Sequence, residues 1–292
     1  MFLRGGAGSC PPNAVPLQPI PAKPPKQVET LADRGLRCRA AGSFQEAADL
    51  FARAVLLLED AEGMDAPELA GPLSNLAAVY RDQGRRAEAE PILQRALKLA
   101  ARADRVTLAF IENNLAMLYW DRGDAARAEP LLRKAVNDSA EEVRGRMQIN
   151  LASLYRTTGR LSESESLTRA VLAADPGCWQ AWRNLAAIHR LRGDSSRSRV
   201  ALNHALALAG EATPQRAETL FEEALLDLSL RDAARAKIAI ERALTIEESL
   251  FGGDSVNLIP FVEVQAQVLR AMKAKAQARA ASLRARRLRS AP

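Results

Sequence analysis

The chain has 292 residues, 48% of them hydrophobic but only 4% aromatic, and a formal net charge of +6. That is enough apolar material for a continuous core, which must be built from Ala, Leu and Val rather than from rings. Cys10, Cys38 and Cys178 are scattered without a CxxC pair, which argues against a disulfide framework or a zinc site, and no apolar run reaches the length of a membrane-spanning helix.

In chain order, residues 1–10 read MFLRGGAGSC and lack the long apolar stretch of a secretory signal. The expected location is cytoplasmic. A cysteine after small residues and before a proline-rich stretch also resembles the start of a mature bacterial lipoprotein. A lipid-anchored or periplasmic location is therefore the alternative if the start is incomplete, with Cys10 as the processed site. Residues 11–26, PPNAVPLQPIPAKPPK, are dense in proline, which fixes φ and supplies no N–H. Residues 1–27 are read as a disordered, extended tether, with a ligand for a proline-binding domain as the sharper reading.

From about residue 28 the pattern becomes periodic. GSFQEAADLFARAV from Gly42, GRRAEAEPILQRAL from Gly84, GDAARAEPLLRKAV from Gly123, GDSSRSRVALNHAL from Gly193 and RDAARAKIAIERAL from Arg231 are one motif. Each has a turn and then a small residue (Ala47, Ala89, Ala128, Ser198, Ala236). A large one follows four places on (Phe51, Leu93, Leu132, Leu202, Ile240), and an alanine three further (Ala54, Ala96, Ala135, Ala205, Ala243). Steps of four and three keep these on one helix face. A small residue lets a neighbouring helix approach, and the large one fills the groove beside it. Upstream of each turn is a second signature: SNLAAVYRDQG from Ser74, NNLAMLYWDRG from Asn113, INLASLYRTTG from Ile149 and RNLAAIHRLRG from Arg183. Each ends at a glycine suited to a left-handed cap.

This alternation resembles the tetratricopeptide repeat, and Trp182, Leu185, Ala186, His189, Gly193 and Ala205 follow its pattern. The turns at Gly42, Gly84, Gly123, Gly159, Gly193, Arg231 and Lys273 are 42, 39, 36, 34, 38 and 42 residues apart, mostly longer than the usual ~34. The longer units, with NLAxxY followed by EAEP at Glu88–Pro91, look most like the kinesin-light-chain subclass. Two departures stand out. SESESLTRAV after Gly159 reads as one residue short before Ala170, and the unit at Phe221–Arg231 lacks Asn-Leu-Ala and its glycine. The resemblance implies an all-α, right-handed superhelical solenoid of stacked helical hairpins. About six repeats span 28–250, and a degenerate last repeat or basic capping helix spans 251–292.

No phosphate loop, GxGxxG, HExxH or GxSxG is present, and His189 stands at the Tyr place of its repeat. The reading is a non-enzymatic scaffold with no cofactor and no metal site. The resemblance places Asn75, Asn114, Asn150 and Asn184 in the concave channel, where an amide can clamp a peptide backbone. Packing and capping are the other use of those residues. Arg39, Arg81, Arg156 and Arg190 fall just after the Tyr place, with Arg183 in phase, and suit a peptide bearing acidic residues. Asp82 and Asp121 stand beside them as internal neutralisers. Phe110, Met117 and Trp120 are assigned to an adjoining apolar pocket.

After Glu263 there is no acidic residue, while Arg270, Lys273, Lys275, Arg279, Arg284, Arg286, Arg287 and Arg289 add eight positive charges. The leading expectation is a protein or peptide partner held in the groove. The alternatives are an assembly scaffold working through its ends or convex face, and a basic tail that tethers to nucleic acid or an anionic membrane. Nucleic acid and membrane rank below protein, because no aromatic interleaving supports them.

Overall fold

The computed structural model describes residues 26–100 and 104–290. Among these, fourteen α-helices follow one another as seven sequential pairs, each pair joined by a short turn. They are α1 (Lys26–Ala40) with α2 (Phe44–Glu62), α3 (Ala70–Asp82) with α4 (Arg86–Ala100), α5 (Arg105–Asp121) with α6 (Ala125–Asp138) and α7 (Glu141–Thr157) with α8 (Leu161–Ala174). Then follow α9 (Trp179–Leu191) with α10 (Ser195–Leu208), α11 (Pro214–Ser229) with α12 (Ala233–Phe251) and α13 (Ile259–Ala271) with α14 (Lys275–Ser290). The first helix starts at Lys26, two residues inside the stretch read as a tether. The rest of that tether, with Cys10, lies outside the described residues.

The chain divides into two compact units, one through Leu154 and one from Tyr155. Within each, a hairpin packs on its neighbour, and the odd-numbered helices meet along one face, α3 on α5 and α9 on α11. The small–large–small triplet explains the packing. The Ala47, Ala89, Ala128, Ser198 and Ala236 set, its large partners and the following alanines are all at most 1% exposed. In the first unit Ala47 and Phe51 meet Ala32, Leu76 and Val79. In the second, Ala236, Ile240 and Ala243 meet Leu220, Ala224, Val262 and Val268.

The hairpin after Gly159 is not short. Ser164, Thr168 and Val171 occupy its small–large–small places and are buried. Thr168 stands where the others carry a large apolar residue, and its hydroxyl is satisfied by donating to the Ser164 carbonyl at 2.7 Å. The two 42-residue spacings come from 19-residue helices, α2 and α12. Each is followed by a 3-10 turn, at Pro67–Leu69 and Val256–Leu258.

Turn chemistry recurs. Asp124, Asp194 and Asp232 each accept at 3.0 Å from the backbone N–H three residues on, which caps α6, α10 and α12. The guanidinium groups of Arg85, Arg127 and Arg160 lie over the rings of Tyr80, Tyr119 and Tyr155 at about 4 Å. All seven turn positions have positive φ, including Arg231 at 61° and Lys273 at 63°. A side chain there is strained by about 1–2 kcal/mol. Arg231→Gly is therefore expected to stabilise the chain by up to about 1 kcal/mol, whereas Gly193→Ala should destabilise it by about 1 kcal/mol or more. Opposite shifts in urea midpoint would bear this out.

Candidate functional site

Three of the four pattern asparagines have well-defined partners. Asn114 is 1% exposed and donates to Ser74 Oγ at 2.9 Å, tying α5 to α3. Asn150 donates to Asn113 Oδ1 at 2.8 Å, tying α7 to α5. Asn184 is 3% exposed and donates to Thr168 Oγ1 at 2.8 Å and Ser164 Oγ at 3.3 Å. Asn75 is also buried, and its Oδ1, like that of Asn114, has no hydrogen-bond partner among the described residues. These amides join helix to helix. Phe110 is buried in the core with Ala135 and Met147, while Met117 and Trp120 are half-buried.

The arginines behave differently in the two units. In the first, Arg39 Nε donates to Asp82 Oδ2 at 2.6 Å, and Arg81 lies 3.2 Å from Asp82 and 3.8 Å from Asp121. Burial pushes the Asp82 carboxyl up, but Arg39 and Arg81 outweigh it and hold it below the usual carboxylate range. Two guanidinium groups thus alternate with two carboxylates, and the ladder is neutral.

In the second unit the balance is uneven. Arg156 at the end of α7 donates from Nε to Asn184 Oδ1 at 2.8 Å. Arg183 of α9 pairs with Glu218 of α11 at 3.0 Å, and Arg190 pairs with Glu222 at 2.6 Å. Burial pushes the Arg156 guanidinium down from its ordinary value; Glu222 opposes this, and the like charges of Arg183 and Arg190 add to it. Three cations therefore share two carboxylates. Arg183 Nε is also buried without a hydrogen-bond partner among the described residues, as is Nε1 of Trp179, whose ring lies 5.5 Å beneath Arg183. Unmet donors beside surplus positive charge form a site that can accept an anion.

Sequence reasoning grouped Arg156, Arg183 and Arg190 but missed the carboxylates. The signal was available: in the 38-residue step to the sixth hairpin, Glu222 falls at the Asn184 place and Glu218 at the Gln180 place. A third acid was not foreseen. Glu247 of α12 is 4% exposed. Burial, and then the charge of Glu218, push its carboxyl up to about 8. At neutral pH Glu247 thus holds its proton, and Glu218 is left to Arg183. His189 is buried, which pushes its imidazole down and keeps it neutral.

Models of the tetratricopeptide repeat match residues 68–141 and 119–188. Residues 68–188 thus carry tetratricopeptide repeats. The fold agrees with that of a crystallised tetratricopeptide repeat protein from Parabacteroides merdae, with a TM-score of 0.60 at 19% identity, over 90% of this chain and 93% of that one. No curated protein matches the sequence. Neither model description singles out the kinesin-light-chain type of repeat. Among the described residues, no helix is long and apolar enough to cross a membrane.

Glu247 makes a pH-dependent contribution. In the unfolded chain it titrates near 4.5, and in the folded one near 8. Between those values the folded state keeps a proton that the unfolded state has released, so stability present below the window is lost as pH rises through it. The urea midpoint is expected to be lower at pH 8.5 than at pH 5. Glu247→Gln should remove at least about 1 kcal/mol of that difference.

Proposed function

We propose that this chain is a non-enzymatic scaffold that holds an acidic peptide segment of a partner protein on the face formed by its odd-numbered helices. The observation that carries this reading is the cluster of Arg156, Arg183 and Arg190, three guanidinium groups sharing Glu218 and Glu222. A ligand carboxylate supplies the missing charge. Arg binds carboxylates through two parallel N–H groups, so the contact is directional as well as strong.

The asparagines act in this reading as positioning residues. Asn184 accepts from Arg156 and is itself held by Thr168 and Ser164, so its amide aims the guanidinium. Asn114 and Asn150 hold their helices in register, and Met117 and Trp120 offer half-buried apolar surface. Arg39 and Arg81 are already balanced by Asp82 and Asp121, so acid recognition concentrates on the second unit.

The test begins with affinity capture of a partner and mapping of its bound segment. Replacing the segment's acidic residues by amides, or Arg183 by Gln, is expected to weaken binding by about tenfold or more in fluorescence anisotropy. Salt should weaken the wild-type complex in the same direction. Unchanged affinity in both substitutions overturns the reading. An assembly role then takes its place, with the exposed Val200 and Ile238 of α10 and α12 as its natural contacts.

A further inference from the structure

The end of the second unit carries charge that the acidic-peptide site does not use. No acidic residue follows Glu263. Two of the arginines of α14 are matched from elsewhere: Arg284 pairs with Glu248 at 2.6 Å, and Arg289 pairs with Glu263. Arg270, Lys273, Lys275 and Arg279 are all exposed and make no ion pair among the described residues. These four, with Ala278 and Ser282, line a concavity of about 520 Å³ at the α13–α14 turn. Arg270 donates to Ser282 Oγ at 2.8 Å, which holds its guanidinium at the wall.

Two departures from the repeat pattern set the shape and charge of this concavity. Ser282 lies nine residues after its turn, the place of Phe51, Leu93, Leu132, Leu202 and Ile240. A half-buried hydroxyl therefore stands where a large apolar side chain otherwise fills the space. Ala274 stands at the place of Asp124, Asp194 and Asp232, so the turn supplies no carboxylate to its neighbouring cations.

We propose that this concavity binds a diphosphate group. Four positive side chains without a carboxylate call for an anion of more than one charge, and a single carboxylate would leave most of them unmatched. The walls are Ala278 and the Ser282 hydroxyl, with no ring on which a base could stack. The recognised element is therefore the phosphate oxygens, which Arg engages in bidentate fashion and Lys as a point charge. The volume falls within the ~300–1,000 Å³ range of small-ligand pockets. The same group can arrive on a soluble metabolite or on a lipid headgroup.

Titration calorimetry of the full chain with sodium pyrophosphate at fixed ionic strength tests the assignment. Saturable one-site binding is expected. Arg279→Gln should weaken it by about tenfold, whereas Arg286→Gln, the loss of an exposed cation outside the concavity, should change it by less than about twofold. Circular dichroism confirms that both variants are folded. Phosphatidylcholine vesicles with and without a diphosphate-bearing lipid then separate the sources. Sedimentation that depends on the lipid and on Arg279 assigns a headgroup, and pyrophosphate binding without vesicle binding assigns a soluble ligand. Absence of saturable binding, or equal losses in the two variants, overturns the proposal. A duplex RNA held equally by both variants would then mark the face as a diffuse polyanion surface.

Discussion

The close crossing of helices at small residues is what the rest of the molecule depends on. Ala47, Ala89, Ala128, Ser198 and Ala236 admit no water, and each lets a large neighbour enter a groove without a void. A helical hairpin cannot bury its own apolar stripe, so the crossing has to recur from one hairpin to the next. Gly35 shows how little room is left. A Cβ there would lie 2.8 Å from the Phe51 ring, so α1 and α2 meet at a distance that only glycine permits.

Upon that uniform frame the two units carry different electrostatics. The first neutralises its arginines internally through Asp82 and Asp121, whereas the second leaves one guanidinium in excess, and the protonated Glu247 adds no negative charge. The skeleton is the same in both, so any difference in what they bind resides in a few polar side chains. Exposed pairs elsewhere, such as Arg85 with Glu88, add little beyond solubility.

The hairpin pattern was legible because apolar spacing and turn glycines are local. Even Arg231 and Lys273, which lack the glycine, could be placed by spacing and proved left-handed. Reading the unit after Gly159 as one residue short had a physical source: the hydroxyl of Thr168 in an apolar place makes sense only once its acceptor, the Ser164 carbonyl, is seen. The candidate site was less legible. The identity of Asn184 and Arg156 was plain, but their pairing was not, and whether an amide faces a ligand or a neighbouring helix depends on contacts between hairpins. The partners of Arg183 and Arg190 lie 35 and 32 residues away, beyond the reach of any periodicity within a helix.

The turn hydrogen bonds have a consequence for how the chain is made. Asp124, Asp194 and Asp232 close on residues three places away, and each cation stacked on a tyrosine lies five to eight residues from it. Such contacts give a low contact order, the regime of rapid folding. Each turn can thus close as soon as its own residues emerge during synthesis, and a hairpin waits only for the next one to cover it.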